Sequence, residues 1–217
     1  MTTKRIAQSL VLLALLLVSS LAQAQYEEDP YIEVFVAGNY TLPTGFIKND
    51  MVPDSLNAKA GIGLDVGIGY YYKPKLILGL YFNNRNMGVE GFDLKHRVFE
   101  LGLFAKYTVS DLAQSSLSPY LRLGGGLNFS KLATKVTDDG NPVYRELSYD
   151  PAFAAEAALG LHIKTNSRGA VFLEAAYHMD MLSDVAGQFE GTDYKWGDNN
   201  NFMMFRVGVL FNISPKE

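Results

Sequence analysis

The sequence predicts an all-β chain folded as one eight-stranded, antiparallel, up-and-down transmembrane β-barrel. Three observations predict it. Apolar residues recur at every second position in eight separate runs, the positions between them favour glycine and charge, and the connections alternate short and long. A period of two belongs to a strand with two unlike faces. Residues 60–72 show it most plainly, with Ile62, Leu64, Val66, Ile68, Tyr70 and Tyr72 set between Gly61, Gly63, Asp65, Gly67 and Gly69. Glycine weakens a strand and packs nothing, so a water-exposed face has no use for it, whereas a crowded, narrow interior does.

The first strand covers about 31–42, with Ile32, Val34, Val36, Tyr40 and Leu42 on the apolar face and Glu33, Phe35, Ala37 and Asn39 on the other. The glycine-rich run is the second. The third, about 75–85, sets Leu76, Leu78, Leu80 and Phe82 against Gly79, Tyr81, Asn83 and Arg85. The fourth, about 97–109, sets Phe99, Leu101, Leu103, Ala105 and Tyr107 against Glu100, Gly102, Phe104 and Lys106. The fifth, about 119–130, sets Leu121, Leu123, Leu127 and Phe129 against Arg122, Gly124, Gly126 and Asn128. The sixth, about 152–164, opposes Phe153, Leu159, Leu161 and Ile163 to Glu156, Gly160, His162 and Lys164. The seventh, about 170–182, opposes Val171, Leu173, Tyr177 and Met179 to Glu174, Ala176, His178 and Asp180. The eighth, about 202–213, opposes Met203, Phe205, Val207, Val209, Phe211 and Ile213 to Arg206, Gly208 and Asn212.

Each run is long enough to cross a bilayer as a tilted strand, which takes about 9–11 residues. The connections at 73–75, 110–118 and 165–169 are short, and those at 43–59, 86–96, 131–151 and 183–201 are long. Bacterial barrels of this kind have short periplasmic turns and long external loops, and an even number of strands. An N-terminus in the periplasm therefore puts every short turn inside and every long loop outside. Tyr70, Tyr72, Tyr107 and Phe211 then fall at one interface, and Tyr40, Phe82, Phe99, Phe129, Phe153 and Phe205 at the other. Two such aromatic girdles suit a lipid-facing exterior. A secreted lipocalin-like barrel would alternate in the same way with its apolar face inward, but it would leave the glycine-rich face in water for no packing reason.

Residues 1–24 read as a cleaved signal peptide, leaving residues 25–217 as one barrel domain. Lys4 and Arg5 form the positive start, Leu10 to Val18 is unbroken apolar sequence, and Ala22 and Ala24 frame a small-x-small cleavage site. The chain has no Cys, which excludes disulfides, thiolate metal sites and a lipid-bearing cysteine. A net charge of −4, near −6 once Lys4 and Arg5 are gone, argues against nucleic acid as a partner. The expected location is the outer membrane. The expected surroundings are the lipid bilayer and lipopolysaccharide, and the expected state is a monomer.

In pattern, nearly the whole mature chain resembles the small eight-stranded outer-membrane barrels of the OmpA transmembrane domain and OmpX type. The most specific local match is the last strand, where Arg206, Gly208 and Phe211 fit the signal read by the barrel-assembly machinery. Ile213 stands where that signal usually has an aromatic, and the tail 214–217 follows it. The resemblance implies no common catalytic site and no cofactor. It implies structural, adhesive or protective roles at the cell surface.

The candidate site residues are the charges on the inward face: Glu33, Asp65, Glu100, Lys106, Arg122, Glu156, Glu174 and Arg206. An eight-stranded barrel is just wide enough for side chains to fill, so these charges form either a plug or an ion path. His162 and His178 share that face, and His178-Met179-Asp180 places a His and an Asp together as a metal or general-base site would. No serine lies beside either histidine on its own strand face, which weighs against a lipid-modifying enzyme. A narrow pore for small or apolar solutes stays open as a second reading. The external loops are the expected surface for an unknown ligand. Asp138-Asp139-Gly140-Asn141 is a hairpin turn signal whose flanks, 133–136 and 143–147, could extend the barrel. The loop 183–201 holds Asp184, Glu190, Asp193 and Asp198 against Lys195, which suits either a solvated loop or divalent cations bridging lipopolysaccharide.

Overall fold

The computed structural model describes residues 32–44, 58–89, 92–110, 115–138, 141–148, 151–165, 169–181, 185–189, 192–196 and 200–213. They form eleven strands: β1 (Ile32–Pro43), β2 (Ala58–Lys73), β3 (Leu76–Val89), β4 (Phe92–Thr108), β5 (Leu117–Asp138), β6 (Asn141–Ser148), β7 (Ala152–Lys164), β8 (Gly169–Met181), β9 (Val185–Phe189), β10 (Thr192–Trp196) and β11 (Asn200–Ile213). Eight of them close on themselves. The order runs β4-β3-β2-β1-β11-β8-β7-β5, and β5 pairs back with β4. Every pairing is antiparallel, and the first and last strands meet from Ile32 opposite Ile213 to Pro43 opposite Phe202. Closure leaves no open sheet edge in the wall, which is the condition for strands to cross a membrane.

The strands reach further at one end than their alternation indicated. The expected long loop at 86–96 is mostly ladder, because β3 runs to Val89 and β4 starts at Phe92. Its residues keep the period of two, but Asn84, Asn86, Lys95 and Arg97 replace the apolar ones on the outer face, so the hydropathy signal stops while the strand goes on. At the same end β5 extends to Asp138 and pairs with β6, and β9 pairs with β10 inside the 183–201 connection. This is the hairpin end, and the end bearing the Pro74-Lys75 turn is the turn end. The proposed cleavage residues Ala22 and Ala24, and the loop acids Asp184, Glu190 and Asp198, lie outside the described residues.

The faces follow the alternation. Leu64, Leu101, Leu123, Leu159, Val207 and Phe211 are exposed on the outside, Leu159 by 69%. Phe35, Ile77, Phe104, Phe172 and Leu210 are buried inside toward the turn end, and Met87, Val98, Phe202 and Met204 toward the hairpin end. The inward glycines make room for rings. Phe35 lies opposite Gly67, Phe104 opposite Gly79, Tyr81 opposite Gly102, Tyr120 opposite Gly160 and Phe172 opposite Gly208 across the ladders. In each pair a Cβ on the glycine would collide with that ring. A ring laid over a glycine on the next strand restores the packing that the glycine lacks.

Candidate functional site

The two apolar layers enclose a stack of charges. All eight residues picked out on the inward face are buried, none more than 5% exposed. At the turn end, the Lys106 ammonium donates to Glu33 and lies 5.3 Å from the Tyr120 ring. In the middle, Arg122 Nη2 lies 2.6 Å from Glu156 Oε1 and 2.9 Å from Glu174 Oε1. Arg206 reaches the same two acids, Nη2 at 2.5 Å from Glu156 and Nη1 at 2.7 Å from Glu174. Its Nε lies 3.2 Å from Asp65 Oδ1. Asp65 also accepts hydrogen bonds from the amides of Asn39 and Asn83, each at 2.5 Å. Tyr120 donates to Glu174 at 3.0 Å, and Tyr81 donates to Glu100.

Arg85 and Asp180 complete the stack toward the hairpin end. Arg85 Nη2 is 3.3 Å from Glu100 and 3.4 Å from Asp180, and its guanidinium lies over Phe202 at 4.9 Å. His178 sits among three carboxylates, with Nε2 2.8 Å from Asp180 and 3.3 Å from Glu100, and Nδ1 3.3 Å from Glu156. Both residues sit on the inward parity of their strands, so the same alternation that located the other eight carries the signal for them. Buried charges persist only when paired and hydrogen-bonded. Here each guanidinium bridges acids from different strands and so ties the barrel across its interior.

The chemistry open to this arrangement is narrow. Glu100, His178 and Asp180 offer ligand atoms within 4.8 Å of one another, but Arg85 already supplies positive charge to both carboxylates. His162 stacks on Tyr120 at 4.2 Å and lies 3.5 Å from the Lys106 ammonium. Cross-strand pairing puts Ser118 opposite His162, a neighbour that a reading along single strands does not reveal. Its hydroxyl donates to the Ser110 carbonyl at 2.6 Å rather than to the imidazole. His162 and His178 are buried in the lumen, away from the lipid-facing side where a lipid substrate would arrive. A cavity of about 10 Å³ lies between Phe35, Phe104, Arg122 and Phe172, which is room for one water at most.

An apolar exterior round an interior that buries its charges inverts the plan of a soluble protein, and known structures share the barrel fold. The structure resembles Neisserial surface protein A, with a TM-score of 0.50 and 14% identity over 86% of this chain and 97% of that one. It resembles the outer membrane protein OprG from Pseudomonas aeruginosa, at 0.53 and 11% over 88% and 98%. It also resembles the outer membrane protein AlkL, solved in DMPC lipid bilayers, at 0.53 and 12% over 90% and 95%. This is the fold of the small outer-membrane β-barrels. At these identities the likeness concerns the fold of this barrel alone. No protein-family model matches the sequence, and no curated protein matches it.

Proposed function

We propose that this chain is an integral, non-enzymatic outer-membrane barrel whose lumen is closed by an ion-paired plug, and that its hairpin end is the working surface. The observation that carries the reading is the pairing of charge with burial. Arg85, Lys106, Arg122 and Arg206 each meet a carboxylate inside the wall, while the outer face exposes Leu, Val and Phe. Such an exterior suits lipid, and charges that pair across the interior support a closed lumen.

On this reading the mature chain starts at Gln25, after Ala24, and the turn end faces the periplasm. Arg206, Gly208, Phe211 and Ile213 serve as the recognition strand for the barrel-assembly machinery, and the barrel works as a monomer. The rigid wall holds the β5–β6 and β9–β10 hairpins clear of the bilayer, where an exposed ladder edge and loop tips can meet a ligand. Planar-bilayer recording of the refolded full chain tests the plug. The expected record has no stable conductance steps. Reproducible steps from the parent protein overturn the plug in favour of a narrow pore.

A further inference from the structure

The polar side chains around the small turn-end cavity are committed except at three atoms. Glu33, Lys106, Tyr120, Arg122, His162 and Glu174 line its polar side. The Lys106 ammonium donates to Glu33 Oε1, lies 3.5 Å from His162 Nε2 and sits over the Tyr120 ring. Tyr120 donates to Glu174 Oε2, and Glu174 Oε1 accepts from Arg122 and Arg206. Glu33 Oε2, Arg122 Nε and His162 Nδ1 remain, each buried with no hydrogen-bond partner among the described residues. A buried polar group left unpaired is costly, and three on the wall of one cavity point to a partner from outside the chain.

The roles of the three atoms are fixed. An ammonium has only hydrogens to give, so His162 Nε2 accepts and the ring proton sits on Nδ1. Arg122 Nε always carries a hydrogen. Glu33 pairs with Lys106 through its other oxygen, so Oε2 is a carboxylate acceptor. The wall therefore presents two donors and one acceptor. Two N–H groups disfavour a cation, and the Glu33 carboxylate disfavours an anion. The volume of about 10 Å³ admits one water-sized molecule. Water has two lone pairs for the donors and a hydrogen for the acceptor, and buried waters make about three hydrogen bonds. Phe35, Phe104, Phe172 and Leu210 supply the apolar side of the cavity, where a file of waters would find no hydrogen bonds.

We infer that this cavity is the binding site of one captive water, which accepts from Arg122 Nε and His162 Nδ1 and donates to Glu33 Oε2. The inference deepens the plug reading above and rests on it. The water bridges β1, β5 and β7 where the charge stack meets the turn-end rings. It joins the Lys106–Glu33 pair to the Arg122–Glu174 pair, which otherwise meet through the Tyr120 side chain. Held in this way, it exchanges with bulk water only when the plug opens.

The test uses the refolded full chain in lipid nanodiscs, labelled with nitrogen-15 at His and Arg, with bulk water as the probe. Magnetic resonance of the parent is expected to show His162 protonated at Nδ1 alone. Water cross-peaks with the sign of a long-lived bound molecule are expected on that proton and on Arg122 Nε–H. His162→Phe keeps a ring on Tyr120 but removes one of the three bonds. It is expected to lose the Arg122 cross-peak while keeping the parent's heat-shifted gel migration. Where that variant does not fold, the parent's tautomer and cross-peaks decide. A proton on Nε2, a parent without water cross-peaks, or an unchanged Arg122 cross-peak in folded His162→Phe overturns the site. Planar-bilayer conductance is read on the same refolded protein. Conductance steps refute the plug and the captive water with it, whereas a silent bilayer without water cross-peaks refutes the captive water alone.

Discussion

Replacing Arg206 by alanine is the most searching perturbation of the interior. The side chain is 1% exposed and spans from β11 to Asp65 on β2, Glu156 on β7 and Glu174 on β8. Among the described residues its removal leaves Arg122 as the only guanidinium within bonding distance of Glu156 and Glu174, at 2.6 and 2.9 Å. Asp65 keeps the amides of Asn39 and Asn83 but loses its positive neighbour. Breaking a buried pair by deleting one partner costs about 3–5 kcal/mol, and here Asp65 loses its cation while Glu156 and Glu174 are left to share Arg122. Urea unfolding of the refolded protein, followed by circular dichroism and by the gel shift between unheated and heated samples, gives the loss from the displaced midpoint. Adding Glu174→Gln to Arg206→Ala removes one of the two acids left sharing Arg122 and should restore part of the loss, a coupling that a double-mutant cycle isolates. A loss below about 1 kcal/mol, with the parent's gel shift intact, would refute the view that the guanidinium holds the lumen together.

Other substitutions address the wall. Leu103→Arg, at the centre of the outward face of β4, should cost about 2–4 kcal/mol in bilayers, measured by the same unfolding. Stability equal to the parent would mean that this face does not meet lipid. Gly160→Leu drives a side chain into the Tyr120 ring opposite and should cost about 1–3 kcal/mol, whereas Gly38→Ala, with nothing within 4 Å of its Cβ, should be tolerated. Equal effects from the two glycines would show that ring contact is not the reason for glycine at 160.

The wall was legible in the sequence because a barrel repeats one rule at every strand. Alternation fixes which residues face inward, and Glu33, Asp65, Arg122 and Arg206 all obey it. What alternation cannot supply is the neighbour on the next strand. The meeting of Arg206 with Asp65, and of Ser118 with His162, depends on register, which is set by pairing between segments far apart in the chain. The Asp138–Asn141 turn announced the β5–β6 extension, whereas that of β3 and β4 was hidden for a different reason. Beyond the lipid the outer face has no need to be apolar, so the strands β3 and β4 continue through Asn84, Asn86, Lys95 and Arg97 without a hydrophobic mark.

The rings seated on glycines also bear on how the chain finds its one pairing. A slip of one residue turns every side chain to the wrong face, and hydrophobicity alone forbids it. A slip of two preserves the faces and escapes that check. It would, however, carry Phe35 from Gly67 to face Asp65 in one direction, and Tyr120 from Gly160 to face Ala158 or His162 in either. Four of the eight seams carry such a pair: β1–β2, β3–β4, β5–β7 and β8–β11. The seam that closes the barrel does not, since Phe35 faces Leu210 there and Gly208 faces Ala37. The chain thus spells its alignment into every other seam round the barrel. The four between them, β2–β3, β4–β5, β7–β8 and β1–β11, take theirs from the strands so paired.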